Sequence, residues 1–154
     1  MKAKVNRREM NSLPQRIICL TTETVEVLYL LGEQDRIVGI SGYTTRPAIA
    51  RKEKSKVSAF TTAKIDKIID LKPDLILGFS NLQADIAAAL IKAGIEVHIF
   101  NQRSVADILR MIITTGRLVG ATKKAENIVS VAESNIGRII MCRESSTLPA
   151  HVFQ

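Results

Sequence analysis

Tryptophan is missing from this 154-residue chain, and aromatic residues together make up only 4% of it. The core must therefore be built from Ile, Leu, Val and Ala, within a length that suits one domain and hardly two. No apolar run approaches the ~20 residues that cross a bilayer, so the chain does not read as membrane-spanning. The N-terminus lacks the apolar stretch of a signal peptide, and as written it points to the cytoplasm. Cysteine is scarce. Cys19 and Cys142 stand far apart without metal-ligand spacing and read as buried thiols. Phosphate-cradling loops are missing too: Gly39 and Gly42 do not make a GxGxxG, and GxxxxGK[ST] does not occur. A nucleotide-binding domain is thereby disfavoured.

The formal net charge is +7, which raises nucleic acid as a partner. Its distribution argues otherwise. Lys2, Lys4, Arg7 and Arg8 belong to a basic N-terminal tail over 1–13, and Arg51, Lys52, Lys54 and Lys56 crowd a predicted loop interrupted by Glu53. No basic helix face is interleaved with aromatics. The charges read as solvated, with no nucleic-acid partner.

What is present is alternation between short β-rich runs and longer helical stretches. Strands are expected at Arg16–Leu20, Ile37–Ile40, around Val57–Ala59, at Asp74–Gly78 and at Ile95–Phe100. Helices are expected from an N-cap at Thr22 to Leu31 with Gly32 as terminator, from Ile65 to Leu71 before Pro73, and from Asn81 to Gly94. Two more follow, from a cap at Ser104 to about Val119, and from a cap at Thr122 to roughly Arg143. Strand, loop and helix in repetition imply an α/β fold: a Rossmann-like parallel sheet with helices on both faces, ending in a long helix.

Ligands of such sheets bind outside the carboxyl ends of the strands. Those positions are Thr21-Thr22-Glu23, Gly42 to Arg46, Phe60-Thr61-Thr62, Phe79 to Leu82 and Asn101-Gln102-Arg103. They supply hydroxyls, amides, two arginines and three aromatics, but no His, no Cys and no carboxylate pair. That inventory is poor for acid–base, nucleophilic or metal catalysis. It suits a large ligand that is partly apolar and partly anionic. His98 reads as a half-exposed strand position.

Several segments resemble one family in their order and spacing. Pro14 to Glu26 resembles the opening strand–loop–helix of class III periplasmic binding proteins, the solute-binding components of ABC importers for cobalamin or ferric siderophores. Arg36 to Tyr43 followed by Pro47 resembles the second strand and its tyrosine loop. Ile65 to Ile76 resembles the helix running into "LKPDL", and Ile95–Phe100 with Arg103-Ser104 resembles the next strand and loop.

This resemblance implies an N-terminal lobe over 14–121, a connecting helix over 122–145 and, in 146–154, the truncated start of a second lobe. It implies a cleft lined by Thr21, Thr22, Tyr43, Phe60, Ser80 and Asn81, with Arg46 and Arg103 placed to pair with anionic ligand groups. The other readings are Tyr43 packing on its own sheet, Phe60 packing in the core, and Arg46 and Arg103 as solvated loop arginines. Asp66 takes the position at which relatives dock a carboxylate, usually Glu, onto the permease; its other reading is a plain exposed helix residue. The resemblance further implies cobalamin, haem or a ferric siderophore as ligand, no required cofactor, an ABC permease as partner, no enzymatic turnover, and a periplasmic or cell-surface location. The alternatives are a cytoplasmic interaction or regulatory module on the same fold and, behind it, an enzyme.

Overall fold

The computed structural model describes residues 13–145, with side chains as far as Met141. The basic tail before Leu13, the Cys142 thiol, and the expected second-lobe start at 146–154 lie outside the described residues. Five strands form one parallel sheet: β1 (Ile17–Cys19), β2 (Ile37–Ser41), β3 (Ser55–Ser58), β4 (Leu75–Phe79) and β5 (Val97–Phe100). The helices are α1 (Thr22–Leu31), α2 (Ala48–Glu53), α3 (Ile65–Asp70), α4 (Ala84–Lys92), α5 (Val105–Leu118) and α6 (Thr122–Ser145).

The spatial order is β3-β2-β1-β4-β5, so the chain builds outward from β1 to one edge and then crosses to the other side. Pairing is in parallel register, for example Cys19 with Ile40 on one side and with Leu77 on the other. Period-two alternation of the central strands feeds two cores. Ile17, Cys19, Leu75 and Leu77 face one way, against Val25, Leu28 and Leu31 of α1, Met111 of α5 and Ala125 of α6. Ile18, Leu20 and Ile76 face the other way, against Ile68 of α3 and Ile86 and Leu90 of α4. Helices therefore cover both faces. Each fully buried Leu or Ile contributes about 2 kcal/mol relative to an exposed one. Cys19 is buried, and desolvation pushes its thiol up to about 12 despite a hydrogen bond with Thr24.

Helix ends follow their local chemistry. Gly32 closes α1 in the left-handed region at φ 77°, and the Ser104 hydroxyl accepts the Asp107 N–H at 3.1 Å to start α5. Four expectations need correction. Thr21, extended at φ −137°, holds the cap position of α1, and Thr22 is already helical. Thr122 likewise lies within α6 as its first residue. Asn81–Gln83 is a 3₁₀ turn, with the α-helix starting at Ala84, because the Ser80 hydroxyl caps Leu82 N–H and tightens that entry. The charged stretch after Pro47 is not a loop: Ala48–Glu53 is helical, with buried Ala50 fixing it to the sheet, and Ser55–Ser58 is the edge strand β3.

The "LKPDL" segment acts at the amino end of the sheet. Asp74 accepts the backbone N–H groups of Gln15 and Arg16 at 2.7 and 2.9 Å, while the Arg16 guanidinium donates to the carbonyls of Leu71 and Lys72. This buckle sets the register of β1 against β4. α6 spans 24 residues, about 36 Å at 1.5 Å per residue. Its first turns pack on α5, where Gly116 leaves room for Ala125, whereas Val131 and Ile139 further along are 61% and 67% exposed.

Candidate ligand-binding edge

Because the chain reverses direction across β1, the topological switch point lies between the carboxyl ends of β1 and β4. A crevice at such a point is where open parallel sheets hold ligands. All the strand exits named from the sequence gather along this edge, but their side chains divide by what they touch.

At the β1 exit, Thr21 is buried and its hydroxyl lies 3.3 Å from that of Thr24, which itself donates to the Thr21 carbonyl. The Thr22 hydroxyl donates to the Tyr43 carbonyl at 3.3 Å and so ties the β1 exit to the next loop. That loop is tightly held. Tyr43 N–H donates to the Ser41 hydroxyl at 3.2 Å, and the Arg51 guanidinium donates to the carbonyls of Gly42 and Thr44 at 2.6 and 2.8 Å. The result is a fixed backbone presenting Tyr43 with 66% of its surface exposed. Arg46, on the same loop, is exposed and faces Glu26 at 3.6 Å.

The β3 exit folds back on itself. Ala59 N–H bonds the Thr62 carbonyl at 2.8 Å, Lys64 N–H bonds Val57 at 2.9 Å, and Ser58 bridges Ala63 in antiparallel fashion. Phe60 sits half-buried in this return. At the β4 exit Ser80 is buried at φ 60°, ψ 174°, a conformation rarely adopted except by glycine that costs about 1–3 kcal/mol. Its N–H donates to Phe100 O at 2.7 Å and its hydroxyl caps Leu82, so this hydroxyl is spent within the turn. Asn81 and Leu82 project outward and are exposed. Between α4 and β5 a cavity of about 380 Å³ is lined by Ser80, Asn81 and Asn101 together with Ala84, Ala88 and Ile91.

At the β5 exit the Arg103 guanidinium lies 5.8 Å from the centre of the Phe79 ring, a cation–π contact that gives this arginine an intramolecular seat. Its backbone N–H also binds the Asp107 carboxylate. Asp107 is held below the usual carboxylate range, chiefly by its hydrogen bond with the Ser104 hydroxyl and then by that N–H. His98 is half-buried, as expected, and desolvation lowers its pKa. Asp66 is exposed in the first turn of α3, just beyond the Phe60 return.

Two residues of this edge, Gln83 and Arg51, escape sequence reasoning. Gln83 is fully buried; its Oε1 accepts Phe79 N–H at 2.9 Å, and its Nε2 donates to the carbonyls of Leu20 and Phe60 at 3.2 and 3.0 Å. Gly78 makes room for it, since a Cβ there would come within 2.8 Å of the Gln83 oxygen. Arg51 was likewise taken for a solvated charge. Chemically, the edge offers exposed aromatic and apolar surface with hydroxyls and amides around it. Among the described residues no group of three His, Cys, Asp or Glu side chains is placed to hold a metal ion.

Residues 17–140 match the periplasmic binding protein family, and the chain belongs to it. That family is one of solute-binding proteins, periplasmic or lipid-anchored. The chain is 33% identical over 129 residues to an uncharacterized ABC transporter substrate-binding lipoprotein of Bacillus subtilis, covering 80% of this chain and 40% of the relative. It is 28% identical over 133 residues to a vitamin B12-binding protein of Pectobacterium carotovorum, covering 83% and 46%. Among solved structures it resembles a possible iron-binding periplasmic protein of Staphylococcus epidermidis, with TM-score 0.76, 26% identity and coverage of 93% and 55%. The periplasmic vitamin B12-binding protein of Vibrio cholerae shares the fold, with TM-score 0.75, 23% identity and coverage of 88% and 53%. The chain thus spans less than half the length of these curated relatives. No described helix is long and apolar enough to cross a membrane.

Proposed function

We propose that this chain is the N-terminal lobe and connecting helix of the substrate-binding component of an ABC importer, and that its sheet edge forms one wall of a ligand cleft. The observation that carries this reading is Tyr43, a large aromatic left 66% exposed on a backbone locked by Arg51 and Ser41. A rigid loop displaying an aromatic face suits a flat, partly apolar cargo, which gains dispersion and buried area there. Cobalamin and haem carry such flat faces, and ferric siderophores share the partly apolar, partly anionic character; one relative is named for binding vitamin B12 and one structural neighbour for binding heme. Phe60, Asn81 and Leu82 extend the wall, Thr22 sets its spacing, and Arg46 offers charge to anionic groups. Thr21 and Ser80 serve through their backbone, since their hydroxyls are turned inward or engaged.

The facing wall belongs to a second lobe, reached through α6 over 122–145, whose exposed Val131 and Ile139 offer apolar surface for it. Cargo is captured and released without turnover, and the strand exits supply no acid–base pair that would argue for an enzyme. Asp66, exposed on α3, is the docking carboxylate toward the permease, in a periplasmic or cell-surface setting.

The test is titration of cyanocobalamin, hemin and a ferric siderophore against the chain and its Tyr43→Ala/Phe60→Ala variant. Loss of binding with an unchanged melting transition is expected; unchanged affinity overturns the assignment. Asp66→Arg should abolish ATPase stimulation in a reconstituted importer while leaving cargo affinity intact, and full stimulation removes Asp66 from the docking role.

A further inference from the structure

We infer that Gln83 is a positioning residue that sets where Phe60 stands, although it lies beneath the wall and is closed to any cargo. The inference rests on the proposed ligand wall for its functional consequence, but not for its geometry.

Gln83 has no exposed surface, and three of its hydrogen-bonding positions are used within the chain. The partners belong to three separate exits: Leu20 after β1, Phe60 after β3 and Phe79 in β4. The β1 and β4 exits flank the switch point and are fixed by the sheet, with Leu20 N–H itself bonded to Leu77 O at 2.8 Å. The Phe60 return, by contrast, closes mainly on itself. Beside the packing of Ala63 on the core, it is tied to the sheet centre by the 3.0 Å bond from Gln83 Nε2 to the Phe60 carbonyl. A carboxamide is suited to this task because one planar group both accepts from Phe79 and donates twice. No apolar residue can, and a carboxylate would face two carbonyl oxygens. Surroundings support the fit: Gly78 is the only residue type that leaves the Gln83 oxygen its place, and the strained Ser80 starts the turn that carries Gln83 inward.

The test uses the full chain carrying 4-fluorophenylalanine, with the Phe60 ¹⁹F resonance assigned by its loss in Phe60→Leu. In Gln83→Met the Phe60 resonance should shift and broaden while that of the core residue Phe100 stays in place. An unmoved Phe60 resonance overturns the inference, as does an equal disturbance of both. Should Gln83→Met fail to fold, Gly78→Ala serves instead, because its Cβ would stand 2.8 Å from the Gln83 oxygen and so displaces the carboxamide, with the same expected and contrary outcomes for the Phe60 resonance. Hemin affinity is the second readout. Gln83→Met should weaken it by roughly tenfold, the scale of one aromatic contact displaced. In a Phe60→Ala background most of that loss should vanish; a loss that persists there in full also overturns the inference. If the Phe60 resonance moves but hemin affinity does not, Gln83 keeps its positioning role and the ligand-wall reading falls.

Discussion

The Tyr43 loop and the Phe60 loop stand side by side on one sheet edge, yet they are held by opposite means. Tyr43 is fixed from the surface by a charged, exposed Arg51, whose guanidinium reaches from α2 to two carbonyls of the Tyr43 loop. Phe60 is fixed from below by a neutral, fully buried Gln83 that reaches across the sheet. At the exposed bond from Arg51 to the Gly42 carbonyl water can replace the donor, whereas at the buried bond from Gln83 to the Leu20 carbonyl it cannot. One latch is therefore half open to water, while the other is joined to the core of the fold.

Substitutions can break or sharpen that contrast. Gln83→Met leaves Phe79 N–H and the carbonyls of Leu20 and Phe60 without this partner, and should lower unfolding stability by about 3 kcal/mol in urea titration. Gly78→Ala attacks the same latch from its other side. The new Cβ would lie 2.7 Å from Ile99 and 2.8 Å from Gln83, and crowding of this kind should cost about 2 kcal/mol. Arg51→Ala should lower stability by about 1–2 kcal/mol, less than Gln83→Met because the Gly42 bond is open to water, while hydrogen exchange quickens at Tyr43 and Thr44. A stability loss equal to that of Gln83→Met would erase the contrast. Arg46→Ala, which removes an exposed pair at 3.6 Å, should leave the urea midpoint within about 0.5 kcal/mol of its starting value.

The same contrast explains what the sequence disclosed. Strand and helix order was legible because buried parallel strands read as apolar runs and Gly32, Ser104 and Pro73 punctuate the helices. Tyr43 was legible as an aromatic in a strand-exit loop. Gln83 was not, since a glutamine near a helix start looks like any surface residue and its carbonyl partners are 63 and 23 residues away. Arg51 was hidden differently. It stands among Lys52, Lys54 and Lys56, and only folding of Ala48–Glu53 into a helix turns its guanidinium back to the loop. Hydroxyl partners were hidden for a local reason. Thr21 and Ser80 occupy turn positions where the side chain bonds its neighbours before any ligand arrives. Asp74 was read as a family mark, and its chemistry is the closing of β1 against β4 at the opposite end of the sheet.

Cargo is proposed to meet this chain at the carboxyl edge of its sheet. Amide chemical-shift mapping tests it most directly, because it registers the weak binding expected of a single wall. Cyanocobalamin added at millimolar concentration, followed by hemin and a ferric siderophore, should shift the amides of Thr22, Tyr43, Phe60, Asn81 and Leu82 for at least one of the three. The amides of Arg16 and Asp74 at the far end should remain still. Shifts gathered at that far end, or none for any of the three compounds, would contradict the account.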